Sequence, residues 1–152
     1  MATKKNSKVS KTEDGRIILP EGYSPSNDEP FMNELQLEYF RQKLLNWKAE
    51  ILEATKETIQ HLQDDSEKHP DITDRATSET DRSLELRTRD RQRKLISKIE
   101  EAIARIDQGE YGYCEESGEP IGVARLNARP IATLSLEAQE RHEQRERVFK
   151  DS

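Results

Sequence analysis

The chain has 152 residues, a formal net charge of −6, 37% charged residues and 32% hydrophobic ones. That length holds one ordinary domain, or a small domain with an extension, and excludes a large multi-domain enzyme. Leu, Ile, Val and Phe make up about a fifth of the chain, close to the composition of disordered proteins, which excludes a thick central core and favours long solvated helices. No stretch approaches the roughly 18 apolar residues of a membrane span, and the N-terminus lacks the apolar segment of a secretory signal. A lone Cys114 offers no internal disulfide and suits a reducing compartment, so a cytoplasmic protein is expected. The negative balance argues against sequence-specific DNA binding, for which a basic domain is the usual footprint.

Residues 1–14 carry Lys4, Lys5, Lys8 and Lys11 among small polar residues and read as a disordered tail. In 15–32, Ile17, Ile18 and Leu19 precede a loop marked by Pro20, Gly22, Pro25 and Pro30, a segment expected to pack on a globular part. Asn33 is a plausible N-cap for a first long helix. Along it Leu37, Phe40, Leu44, Trp47, Ile51, Ala54 and Thr58 alternate steps of three and four, the seam of a coiled coil. Pro70 stops that helix, because the residue before a proline is pushed out of helical geometry. A second helix follows from about Thr73 to Gln108, with Leu95, Ile99, Ala102 and Ile106 at steps of four, three and four, and Gly109 ends it. Residues 33–108 therefore predict a long antiparallel coiled-coil hairpin with its tip near 68–78. Residues 109–134 read as a small turn-rich unit. Residues 135–152 form a C-terminal helix, capped by Ser135 with Glu137 in its first turn.

Charge is unevenly spread over the hairpin. From 64 to 81, seven acids stand against Lys68 and Arg75, a net of −5 around the bend. Asp71 and Asp74 are explained either as helix-capping residues or as an acidic probe delivered by a long rod. From 82 to 98 the net is +5, and Arg87, Arg91, Lys94 and Lys98 line one stripe of the second helix. Two readings remain open for the stripe: pairing with acids of the first helix, or attraction of an anionic partner such as a phosphate-rich small molecule or an acidic protein surface.

A metal frame lies in the globular segment. Cys114, Ser117, Ser135 and Ala138 are separated by two, seventeen and two residues, the spacing of a four-cysteine zinc ribbon. Three of the four positions carry no thiol, so no zinc and no required cofactor are expected. Cys114 reads as a small buried hydrophobe, and the neighbouring Glu115 and Glu116 are expected to raise its pKa. No Gly-rich phosphate loop or catalytic constellation emerges, and the histidines His61, His69 and His142 are scattered, so a non-enzymatic protein is expected.

The runs DITDRATSETDRSLELRTRDRQRKLISKIEEAIARIDQGEYGYCE and GEPIGVARLNARPIATLS resemble the DksA family of transcription factors. MNELQLEYFRQKLLNWKAEI is similar to the start of that family's first hairpin helix, and the likeness covers roughly 17–150. Its sharpest element is the Asp-x-x-Asp-x-Ala tip, here Asp71, Asp74 and Ala76. The resemblance implies a regulator that passes its hairpin through the secondary channel of RNA polymerase and destabilises promoter complexes, usually with guanosine tetraphosphate (ppGpp). It assigns the tip role to Asp71, Asp74 and Ala76. The face that meets ppGpp would hold Arg91, Leu95, Lys98 and Arg129. Gln139 stands where that family places a basic ppGpp contact, which implies a weaker alarmone response. The missing cysteines imply a degenerate, metal-free zinc-finger-like region held by Tyr111, Tyr113, Ile121, Val123, Leu126, Ile131 and Leu134. A monomer is expected, because an intramolecular seam leaves little apolar surface. Two other classes stay open: a Gre-type transcript-cleavage factor, and a coiled-coil adaptor without a polymerase role.

Overall fold

The computed structural model describes residues 11–68 and 72–150. Four helices follow in order: α1 (Glu34–Lys68), α2 (Ile72–Gln108), α3 (Val123–Ala128) and α4 (Leu136–Lys150). Among the described residues, extended pairing is confined to two isolated bridges, Lys11 with Ile17 and Tyr113 with Pro120. The mainly helical class expected from the periodicity is what forms. Most of the expected tail, and positions 69–71 at the bend, lie outside the described residues.

The helix ends follow local chemistry. The Asn33 side-chain oxygen accepts the Gln36 N–H at 2.8 Å, satisfying a donor in the first turn of α1. Gly109, at φ 77°, takes the left-handed conformation that a side chain disfavours, and it closes α2. The Glu110 N–H then reaches back to the Arg105 carbonyl at 2.9 Å. At α4, Ser135 Oγ accepts the Ala138 N–H at 3.2 Å, and Glu137 lies in the first turn.

The chain divides into two compact units, Met1–Lys43 with Ile103–Ser152, and Leu44–Ala102. In the first, Phe40, Tyr111, Cys114, Ile121, Val123, Leu126, Ala132 and Ala138 are buried. Phe40 meets the Tyr39 and Tyr111 rings at centroid distances of 5.2 and 5.7 Å. The Tyr111 hydroxyl donates to the Pro130 carbonyl at 2.7 Å, and burial pushes its pKa well above the ordinary tyrosine value. Tyr113, Ile131 and Leu134 are half-buried. The 15–32 segment joins this unit through Phe31, whose ring stands 5.5 Å edge-on from Tyr113, and through Met32, which lies over Gly112. Gln36 is fully buried and fully used: it accepts the Met32 N–H at 2.8 Å and donates to Ser26 O at 3.0 Å and to Glu29 Oε2 at 3.2 Å.

In the second unit, α1 and α2 run antiparallel in a single register. Lys48 pairs with Glu100 at 3.0 Å, Thr55 Oγ lies 2.9 Å from Gln92 Oε1, and His61 pairs with Glu85 at 3.4 Å. One number rises as the other falls, as a hairpin requires. Leu44, Ile51, Ile99 and Ala102 are buried, but from Ile51 and Ile99 toward the bend no described side chain is fully buried. Thr55, not the expected Ala54, takes the inward place: Ala54 is exposed and Thr55 half-buried. A run of threes and fours tolerates either residue, and the hydroxyl finds both the Ile51 carbonyl and Gln92 within 2.9 Å. Glu85 Oε2 is sealed from solvent without a hydrogen-bond partner, an omission that costs about 1–3 kcal/mol.

Candidate functional site

Three groups of residues carry candidate chemistry. The first is the bend. Asp71 lies outside the described residues, while Asp74 and Ala76 fall in the opening turns of α2, with side chains outside the described part. The acids whose side chains are described here, Asp64, Glu79 and Asp81, are exposed.

The second group is the basic stripe on α2. Arg87, Arg91 and Lys94, with Leu84, Thr88 and Asp90, line an open groove of about 520 Å³. Three cations against one carboxylate give it a positive balance. Among the described residues, no ion pair joins Arg87, Arg91, Lys94 or Lys98 to an acid, so pairing with the first helix is not what occupies this stripe. Lys98 is exposed and Leu95 half-buried one turn before it, on the face that Arg91 shares by helical spacing. Lys98 does not line the groove.

Arg129 belongs to the other unit, just past α3. Its side chain is exposed, and its backbone is held by an N–H bond to Arg125 O at 2.8 Å and by the Ala132 N–H at 3.0 Å. Gln139 donates to Glu143 Oε1 at 3.2 Å on its own helix.

The third group surrounds Cys114. The turn after it is closed by the Gly118 N–H to Cys114 O at 2.9 Å and the Cys114 N–H to Glu119 O at 2.8 Å. Arg105 steadies its start, donating to Tyr113 O at 2.9 Å and pairing with Glu115 at 3.1 Å. Burial by itself would raise the Cys114 thiol, but the Ser117 hydroxyl and the backbone N–H groups of Ser135, Ser117 and Glu116 more than offset it, and the pKa falls to about 6. The acids Glu115 and Glu116 were expected to dominate and do not. Glu115 is drawn to Arg105, and Glu116 pairs with Arg141 at 3.4 Å and His142 at 2.9 Å. The frame thus converges on one sulfur. Ser117 and Ser135 contact it, and the buried Ala138 adjoins through Ser135 Oγ.

Comparison with known proteins decides the family. Residues 36–106 match the family described as DnaK suppressor protein DksA, N-terminal domain. Residues 109–144 match the family described as prokaryotic dksA/traR C4-type zinc finger. The chain is 70% identical over 135 residues to the RNA polymerase-binding transcription factor DksA of Caulobacter vibrioides (strain NA1000 / CB15N), covering 89% of this chain and 95% of that one. The chain belongs to the DksA family. It is also 41% identical over 140 residues to the protein of that name in Escherichia coli (strain K12), covering 90% of this chain and 93% of the relative. Among solved structures, transcription factor DksA2 from Pseudomonas aeruginosa superposes with a TM-score of 0.73 at 42% identity, covering 82% of this chain and 94% of that one. Membership in the DksA family, whose relatives are named as transcription factors, takes the place of the Gre-type and adaptor readings.

The metal-free expectation is corrected by the second family match, since 109–144 belongs to a C4-type zinc-finger family. A count of thiols bears on the ligand positions alone, whereas the match spans the whole of 109–144. The donors at the four frame positions of this DksA-family chain are one thiolate and two hydroxyls, with a methyl at the fourth. They do not make up a four-thiolate set. Among the described residues, no group of three or more His, Cys, Asp or Glu is disposed to hold a metal ion, and no step below runs through one. What sequence reasoning missed is the donor cradle around Cys114, because one of its N–H groups comes from Ser135, far along the chain. The polar network of Gln36 was missed for a similar reason, its partners lying in the irregular 26–32 loop.

Proposed function

We propose that this chain is a cytoplasmic, monomeric, non-enzymatic regulator that binds RNA polymerase directly and passes its α1–α2 hairpin through the secondary channel. The observation that carries this reading is the 70% identity, along 89% of the chain, to a protein named as an RNA polymerase-binding transcription factor. In this mechanism Asp71, Asp74 and Ala76 act at the polymerase active centre and alter promoter-complex stability, while the hairpin delivers them.

The basic stripe, without an acidic partner among the described residues, supports a further element, a response to ppGpp. Arg91, Leu95 and Lys98 on α2, and Arg129 beyond α3, are the proposed contacts with ppGpp and polymerase. Charged hydrogen bonds to phosphate strengthen when water is excluded, so the complex with polymerase binds ppGpp better than the free protein does. Gln139, uncharged and engaged with Glu143, makes that response modest.

The test is direct binding. Immobilised core RNA polymerase should retain the full-length protein and shorten its stay when the secondary channel is blocked by a competitor. No retention at micromolar protein contradicts the reading.

A further inference from the structure

The hairpin unit sets a carboxylate partly within the seam between α1 and α2. Glu85 faces α1, one oxygen pairs with His61 Nε2 at 3.4 Å, and the other is sealed without a partner. Beyond Ile51 and Ile99 toward the bend, no described side chain is fully buried, and the half-buried Ile59, Leu95 and Ile96 choose an alignment of the helices less sharply than an enclosed core does. Threes-and-fours spacing repeats every heptad and permits neighbouring offsets equally well. A polar pair across such a seam, here between a largely exposed His61 and a Glu85 whose second oxygen is sealed, is satisfied in one offset only, which is how a polar group specifies register. Thr55 with Gln92, at 2.9 Å, marks the same offset two helical turns away.

We propose that Glu85, held by His61 on the facing helix, is a positioning residue that fixes the axial offset of α1 against α2 on the way to residues 69–71. Its value to the protein is placement, and its consequence for transcription rests on the polymerase reading above. A slip of one turn would displace one helix end by about 5 Å relative to the other, enough to misplace an acidic group aimed at an active centre.

The experiment uses the full-length protein with Glu85→Leu, Glu85→Gln and wild type. Glu85→Leu removes the sealed oxygen and one partner of the largely exposed His61, so the unfolding midpoint should hold or rise. In the free protein its amide resonances across 55–64 and 77–92 should double or broaden as offsets mix, where wild type gives one set. Glu85→Gln, which keeps an acceptor for His61 at the same reach, should restore the single set. On polymerase, Glu85→Leu should lose most of its maximal effect on promoter-complex lifetime at an unchanged half-saturating concentration. A Glu85→Leu protein with one unshifted set of resonances overturns the proposal. So does one that loses activity only in step with lost stability. If wild type itself has no effect on polymerase, the functional reading falls and the resonances alone decide the positioning claim.

Discussion

The two units share α1 and α2, with α3 and α4 in the first alone, and they are held by different means. Residues 11–43 and 103–150 bury an aromatic cluster around Phe40 and Tyr111, and nearly every buried polar atom there has a partner. Residues 44–102 bury four apolar side chains at one end and rely on polar cross-pairs toward the other. The difference teaches that stability resides in the first unit, while the second spends its sequence on alignment and on surface charge. Hydrophobic burial is non-directional and holds a fold together, whereas polar pairs are weak and select one geometry among several.

The sharpest way to break this comparison is a matched pair of truncations. Phe40→Ala should destabilise the protein by about 3–5 kcal/mol, because a large ring fully enclosed leaves a cavity. Ile59→Ala, half-buried in the hairpin, should cost only about 1 kcal/mol. Denaturant unfolding measures both, and equal losses would show that the hairpin seam is as dense as the other unit. Next in size is Tyr111→Phe, which leaves the buried Pro130 carbonyl without its donor and should cost about 1–3 kcal/mol by the same measurement.

Cys114 gives a smaller, pH-dependent effect. Its folded pKa of about 6 lies below the ordinary value of 9.0, so the thiolate stabilises the fold above that ordinary value, and the contribution is lost as pH falls through about 6. Stability of wild type relative to Cys114→Ala should therefore be greatest at high pH and fall to a pH-independent remainder below about 6. Thiolate ultraviolet absorbance should titrate near 6, and Ser117→Ala should move that midpoint upward. A midpoint at or above the ordinary value would remove the donor cradle from the account. Smallest is the alarmone response: Lys98→Ala or Arg129→Ala should erase the added effect of ppGpp in transcription assays and leave the factor's own activity. An unchanged response would return the stripe to solvent.

Legibility in the sequence followed the range of the interactions. The ends at Asn33, Gly109 and Ser135 could be read because caps and left-handed glycines act within a few residues. The inward place of Thr55 over Ala54 could not, because helical spacing permits both and the partner, Gln92, sits on the other helix. The low thiol pKa of Cys114 was hidden for the same reason, since the adjacent acids are visible in the sequence and the distant Ser135 N–H is not. The zinc-finger ancestry of 109–144 was legible in its spacing. The family match rests on the whole of 109–144, of which the four ligand positions are a small part. The basic stripe was readable as a pattern, and the structure adds that Arg87, Arg91, Lys94 and Lys98 have no acidic partner among the described residues.

The central proposal is that the bend of the hairpin acts on polymerase, and a single substitution tests it. Asp74→Asn removes a charge at the start of α2, where loss of a capping group costs only about 1 kcal/mol, so folding should survive. Promoter-complex lifetime and polymerase affinity are then measured on the same preparation. The account predicts affinity within a small factor of wild type and loss of the effect on lifetime. Parallel loss of both would make the bend an anchor, and an unchanged lifetime effect would place the action elsewhere in the molecule.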